Sequence, residues 1–384
     1  MATTLSERPA DVDRTIDEVC AFVAARSAEI ERARRLPAEV VDTLRDAGWF
    51  DLLLPPDLGG GGAALPVAAE RLARLARADA STGWTVMIGA GIWCDLVGLD
   101  RTAFDDLFAA EDHTILAGVF NPTGRVEAVA DGYRVDGRWA FASGCQLATW
   151  LYANCIEEVG EGGRLRTVVF RPDQIQIEDT WDAPGLRGTG SHHFRADAVV
   201  VSPERTFVTF EAEPCVDAPI VRIPVPTLLA LLIASIGVGI AEGAVDDLLA
   251  LSATKVPLLA DGTVAADPTF QHQLATATAE LAAARALLAD ATGSAWQRAA
   301  DGPPLDLALR ARLRTAACWA MDRSAGVVDV AYRAAGSAVL DAQHPLSRRF
   351  RDVHTVTQHF LVRAETLTTA GAIIAGQDLE PAVF

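Results

Sequence analysis

Residues 133–150 read YRVDGRWAFASGCQLATW, and the character of the chain changes across them. Tyr133 to Phe141 mixes apolar and polar positions at short range, and Asp131-Gly132 and Asp136-Gly137 are dipeptides that favour tight turns between strands. Strand-like runs continue downstream as RTVVF (166–170), QIQI (174–177) and AVVV (198–201). They define a β domain over residues 111–222.

Upstream, residues 1–110 have helical periodicity, as in VDRTIDEVCAFVAARSAEIERAR (12–34) and VAAERLARLARAD (67–79), where apolar residues return every three or four positions. LLPPDLGGGGAALP (53–66) interrupts them, because Pro55, Pro56 and Gly59 to Gly62 cannot continue a helix. A glycine run can cradle phosphate, but no Lys-Ser/Thr pair follows, so the run reads as a turn. Downstream of Pro224 and Pro226 the spacing predicts helices over Leu228 to Ala253, Phe270 to Arg298, Leu305 to Ala335, and Pro345 to about Ala375. Four long antiparallel helices make a bundle, so residues 223–384 form a third unit. The class is α+β, mostly α.

The chain has 384 residues and a formal net charge of -18, from 33 Lys plus Arg against 51 Asp plus Glu. That field opposes binding to nucleic acid or an anionic membrane, so neither is expected as a partner. The six cysteines are scattered without a C-x-x-C pair, which suits reduced thiols in a cytoplasm. The acidic start, MATTLSERPADVDRTIDEV, lacks the basic and apolar runs of an export signal. The most apolar stretch, Leu228 to Ala241, is read as a buried core helix too short to span a bilayer. GVGIAEG (237–243) has the wrong glycine spacing for a dinucleotide site and lies within a helix. No metal is expected: His354 and His359 are five residues apart, about 140° around a helix, and there is no HExxH.

Four segments together carry a resemblance: LLPPDLGGGG after the second helix, YRVDGRWAFASGCQLATW (133–150), DAPGLRGTGSHHFRADAVVVSPERTF (182–207) and AAGSAVLDAQHPLSRRFRDVHTVTQHF (334–360). In this order and spacing the chain resembles the acyl-CoA dehydrogenase superfamily over essentially its full length. The resemblance implies an N-terminal helical domain, a central β-barrel domain and a C-terminal four-helix bundle, assembled as a homotetramer, a dimer of dimers.

Dehydrogenases of that superfamily remove a substrate proton with a glutamate. Here the corresponding positions after Arg351-Asp352 are Gln358, His359 and Phe360, and the alternative position falls near Pro226 and Thr227. No acid stands at either place; Glu242, deeper in that helix, reads as structural. The chain is instead similar to the oxygenase components of two-component (class D) flavin-dependent monooxygenases. These take reduced FMN or FAD from a separate NAD(P)H:flavin reductase and form a flavin C4a-hydroperoxide that oxygenates a small substrate, commonly aromatic or polycyclic. The resemblance places Ser143 beside flavin N5 and makes His359 a catalytic group; an imidazole suits proton transfer near neutral pH. It assigns Trp139, Phe141, Ser143, Arg187, Gly188, Thr189, Ser191 and Arg333 to the cofactor, which is held loosely enough to exchange. Trp84, Trp93 and Asn121 are expected to line the substrate pocket. LRGTGS (186–191) could be an anion-binding turn or a plain one. Gly91 stands where many aromatic hydroxylases of this type carry a second histidine, which makes phenol hydroxylation less secure. A flavin-dependent dehydrogenase or desaturase with a non-standard base is the alternative.

Overall fold

The computed structural model describes residues 15–109, 114–159, 162–377 and 379. Most of the acidic start and the boundary between the first two units, 110–113, lie outside the described residues. The N-terminal unit comprises α1 (Ile16–Ala24), α2 (Ser27–Ala33), α3 (Ala38–Asp46), α4 (Leu65–Ala78), α5 (Ala80–Gly91) and α6 (Arg101–Phe108). The central unit comprises β1 (Leu116–Val129), β2 (Gly132–Ala142), β3 (Trp150–Val159), β4 (Gly162–Phe170), β5 (Gln176–Glu178), β6 (His192–Val201) and β7 (Thr206–Val208). The last unit comprises α7 (Val225–Ser252), α8 (Pro268–Ala300), α9 (Leu307–Ala335), α10 (Pro345–Val356) and α11 (Ala364–Ile374).

The glycine run after α3 is a turn, as its composition predicts. Its amides are satisfied internally: Gly61 N donates to Asp51 O and Gly62 N to Leu54 O, so none is left to cradle an anion. A new helix, α5, starts directly after α4 because the buried Asp79 carboxylate accepts from the Thr82 amide and hydroxyl, both at 2.7 Å. α5 is buried almost throughout and packs against α7 and β1.

The seven strands form one sheet in the order β5-β6-β2-β1-β3-β4-β7, with β1 and β3 parallel and the other pairs antiparallel. It encloses its own apolar cluster, in which Trp139, Phe170 and Phe194 stack. The expected barrel is therefore an open sheet, with β5 and β7 as its two edges.

α7 runs through the centre of the helical part. Its glycines serve close approach: a Cβ at Gly239 would lie 2.0 Å from the Ala73 carbonyl oxygen of α4, and one at Gly237 2.5 Å from Met321 Sδ of α9. The fingerprint-like GVGIAEG is thus a packing device. At 28 residues α7 is long and apolar enough to cross a membrane by length and composition, more than the sequence estimate, but 83% of its most apolar window is buried within the protein.

The fourth bundle helix, expected to run unbroken from Pro345 to about Ala375, is interrupted between α10 and α11. The Thr355 and Thr357 hydroxyls bond back to Arg351 O and His354 O, both at 2.8 Å, which competes with helix propagation. Beyond them His359 caps a short 3-10 turn, Phe360–Val362, and buried Arg314 donates to Leu361 O at 3.2 Å. The break puts His359 on a loop rather than on a helix face.

Candidate active site

Ser143 lies just past the end of β2 and is buried. Its hydroxyl belongs to a row whose hydrogen positions can be deduced. Thr189 Oγ1 donates to the Leu186 carbonyl at 2.8 Å, which uses its one hydrogen. Ser191 must therefore donate to Thr189 across 2.6 Å, and Ser143 to Ser191 across 2.8 Å. The Trp84 indole Nε1 donates to Ser143 at 2.9 Å. The row is polarised from Trp84 to Leu186, and Ser143 keeps a free lone pair but no free hydrogen.

The turn carrying Thr189 is held from two sides. Asp352 Oδ1 of α10 accepts from Leu186 N at 2.7 Å, and Ser81 Oγ of α5 accepts from Gly188 N at 3.1 Å. Thr189 N and Gly190 N bond within the turn, and the Arg187 guanidinium is engaged by Asp182 at 2.9 Å and by Ala183 O. The Leu186, Gly188, Thr189 and Gly190 amides and the Arg187 guanidinium are therefore already engaged, and the hydroxyls of Thr189 and Ser191 reach Ser143.

His359 closes the same corner. Its ring meets Trp84 edge-on, with centroids 5.6 Å apart. Burial lowers its pKa to about 4, assisted by the Arg363 and Arg314 charges. The expectation of an imidazole titrating near neutrality is thus corrected: His359 is neutral there. Its Nδ1 accepts from Leu361 N at 3.4 Å, so the proton sits on Nε2, and the ring offers an N–H donor rather than a base. His354 is elsewhere, paired with Asp329 at 2.8 Å on the bundle surface.

Phe141, next but one to Ser143, is 66% exposed and holds φ at 68°, a conformation a non-glycine residue keeps only when its surroundings impose it. Its ring stands edge-on to Trp181 and His193. Trp139, expected at the cofactor, instead points into the sheet's core, fully buried, with its Nε1 donating to Asn154 O at 2.9 Å. Trp93, expected at the substrate, packs edge-on against Phe104 in the N-terminal core. Asn121 is exposed where the β1–β3 register shifts, and Arg333 is exposed on the last turn of α9. No described contact ties either to the Ser143 cluster.

The sequence reading missed a row of partly accessible residues beside these groups. Trp84, Ile88 and Gly91 fall within about 60° of one another on α5. A 3-10 turn, Ile92–Asp95, prolongs the helix. From Ala80 to Val97, Ile88 and Asp95 are the residues that retain substantial accessible surface. Phe120 of β1 and the half-exposed Phe360 stack across from them with centroids 6.4 Å apart. The i, i+4, i+7, i+11 spacing of positions 84, 88, 91 and 95 was the available signal. Glu242 is held in an ion pair with Arg285, which also bonds Glu70, so it offers no free base.

Comparison with known proteins bears on what this arrangement does. The family described as "Acyl-CoA dehydrogenase, N-terminal domain" matches residues 10–99, and "Acyl-CoA dehydrogenase, C-terminal domain" matches residues 231–364. The oxygenase component of the FADH(2)-dependent resorcinol hydroxylase of Rhizobium sp. is 30% identical over 361 residues, covering 89% of this chain and 88% of that protein. The chain belongs to the oxygenase components of flavin-dependent monooxygenases. Among other members of this oxygenase family, the indole-3-acetate monooxygenase of Pseudomonas putida is 29% identical over 93% of this chain and 92% of its own length. The crystal structure of 3-HSA hydroxylase from Rhodococcus sp. RHA1 superposes with a TM-score of 0.89 at 26% identity, covering 96% of this chain and 98% of that one. Positions 358–360 are Gln, His and Phe, with no carboxylate among them.

Proposed function

We propose that the chain binds a reduced flavin, exchangeable FMN or FAD, with its N5 edge at Ser143, and inserts one oxygen atom of O2 into a small aromatic or polycyclic substrate lying along α5. The observation that carries this reading is the polarity of the hydroxyl row. Ser143 has spent its hydrogen on Ser191 and can only accept from a third partner. Reduced flavin carries a hydrogen on N5 and oxidised flavin does not, so the residues fit the reduced form. The bound flavin supplies the two electrons that activate O2; one oxygen atom enters the substrate and the other leaves as water.

The chain's own groups then have distinct tasks. Ser143 holds the N5 proton in place through its lone pair. His359 presents Nε2–H as a fixed donor toward the oxygen being transferred, at a pH where it carries no charge. Trp84 fixes both, by its hydrogen bond to Ser143 and its edge against His359. The aliphatic and aromatic walls keep water away, which limits loss of oxygen as peroxide. Phe141, exposed two residues from Ser143, covers the flavin in this reading. Electrons come from a separate NAD(P)H:flavin reductase.

A homotetramer in the cytoplasm completes the proposal. Its support is surface left apolar in the single chain: Leu258 and Leu259 are 93% and 98% exposed.

The test mixes the protein with a flavin reductase, NADH and 18O2, offering resorcinol and indole-3-acetate. One labelled oxygen in a product, dependent on both proteins, is the expected result. Anaerobic bleaching of bound flavin by an acyl thioester, with no oxygen insertion into either compound, would overturn it.

A further inference from the structure

Asp95 ends the 3-10 turn that prolongs α5, and its Oδ2 accepts a hydrogen bond from the Tyr152 hydroxyl of β3 at 2.8 Å. Tyr152 is 4% exposed, and its ring reaches Asp95 by crossing β1 at Gly118. A Cβ at Gly118 would stand 2.1 Å from Tyr152 Cδ1, so glycine is required there. The pairing is therefore a built feature, supported by a gap in the neighbouring strand.

Its place relative to the site follows from contacts. Starting at the reactive corner, His359 touches Trp84, and the face of α5 that carries Trp84 leads by the partly accessible Ile88 and the buried Gly91 to Asp95. Returning along the opposite wall, Tyr152 lies on Gly118, Phe120 is two residues further on the same strand, and Phe120 stacks on Phe360, the neighbour of His359. Together the two paths close a ring of contacts, with Ser143 and His359 at one end and the Asp95–Tyr152 pair at the other. From Trp84 to Gly91 the helix alone rises about 10 Å, the length of a fused ring system. At Gly91 a Cβ would stand 3.4 Å from both Leu229 and Leu232, so the glycine lets this part of the helix pack closely on α7.

Asp95 remains partly accessible, and its Oδ1 accepts no hydrogen bond from the described residues. Burial raises its pKa to about 7, opposed by the bond from Tyr152. An acid with one oxygen occupied and the other open, at the end of this ring of contacts, is suited to take a hydrogen from a ligand when ionised.

We infer that the Asp95–Tyr152 pair is the substrate-recognition end of the pocket, selecting aromatic substrates whose far end bears a hydrogen-bond donor, a hydroxyl or amine, and rejecting those ending in a carboxylate. This rests on the oxygenase reading for what happens at the other end, but it concerns binding alone. Donation to Oδ1 fixes the ring along α5 with its opposite edge toward Ser143 and His359. Above about pH 7, where Asp95 is mostly ionised, a carboxylate in the same place would meet like charge without a counter-ion.

Three probes with one ring system test it: tryptamine, indole-3-ethanol and indole-3-acetate, titrated by calorimetry at about pH 8, where Asp95 is mostly ionised, into the full chain without flavin turnover. The amine and the alcohol should bind at least about tenfold more tightly than the acid, the range of a hydrogen bond to a charged group. Asp95→Asn, which keeps the shape and can donate as well as accept, should bring the three within about threefold of each other. Tyr152→Phe, which retains the carboxylate, should preserve the order of preference. Unchanged flavin affinity in both variants checks that the fold is intact. Equal affinities in the unsubstituted protein, whether tight or too weak to measure, would overturn the inference, and so would an Asp95→Asn protein with unaltered ratios. Discrimination without oxygen insertion would leave the inference standing and remove the oxygenase reading instead.

Discussion

Trp84 Nε1 donates to Ser143 Oγ at 2.9 Å across the boundary between the N-terminal helices and the sheet, and the same indole supports His359 edge-on. One side chain thus sets two groups that reach the site from different units. Trp84→Phe keeps the ring packing and removes the donor. The expected loss is about 1 kcal/mol in reduced-flavin affinity, roughly fivefold. A larger share of consumed O2 should appear as hydrogen peroxide, measured by coupled peroxidase assay alongside product.

Ser191→Ala removes the acceptor that holds the Ser143 hydrogen. Ser143 can then rotate and donate, so the affinity for oxidised flavin should rise relative to reduced flavin by about fivefold. Anaerobic and aerobic fluorescence titrations give the two constants. A ratio equal to that of the unsubstituted protein would show that the row does not set the hydrogen's direction.

His359 has its proton on Nε2 and a pKa of about 4. The ratio of product to peroxide should therefore show no ionisation from His359 between about pH 6 and 9. His359→Ala should lower that ratio about tenfold, and His359→Gln, which can still donate, should recover part of it. A bell-shaped profile with a limb that His359→Gln abolishes would return the imidazole to the role of a base.

Asp352 is buried, and desolvation raises its pKa to about 7 from 3.8. A carboxyl that binds its proton more tightly folded than unfolded loses stabilising effect as pH rises between those two values. Asp352→Asn can still accept from Leu186 N and never ionises. Its melting temperature relative to the unsubstituted protein should therefore shift upward between about pH 5 and pH 8, followed by calorimetry at matched ionic strength.

The three-unit order was legible because each unit has its own hydrophobic period, and the shift from helical spacing to strand alternation before Tyr133 is sharp. The break at 357–363 was not, because Thr355 and Thr357 are compatible with a helix in sequence and act against it only through hydroxyl bonds to Arg351 O and His354 O. Ser143 and His359 were singled out through their surrounding segments, and the structure brings both against Trp84. For LRGTGS an anion-binding turn and a plain one fit the sequence equally, and only the structure reveals that the Leu186, Gly188, Thr189 and Gly190 amides and the Arg187 guanidinium are already engaged. Trp139 and Trp93 had the right chemistry for a site, but strand and helix orientation turned both into core. Asp95 and Tyr152 escaped notice because 57 positions separate them and nothing local to either signals the other.

The hydroxyl row ends on the Leu186 carbonyl, which also accepts from the Trp181 indole at 3.1 Å. A carbonyl oxygen so placed cannot take up a proton and hand it on, and the indole at the other end does not release one at physiological pH. The row is therefore an insulator, not a wire: protons can be held at the Ser143 end, but none can be conducted along it to bulk solvent.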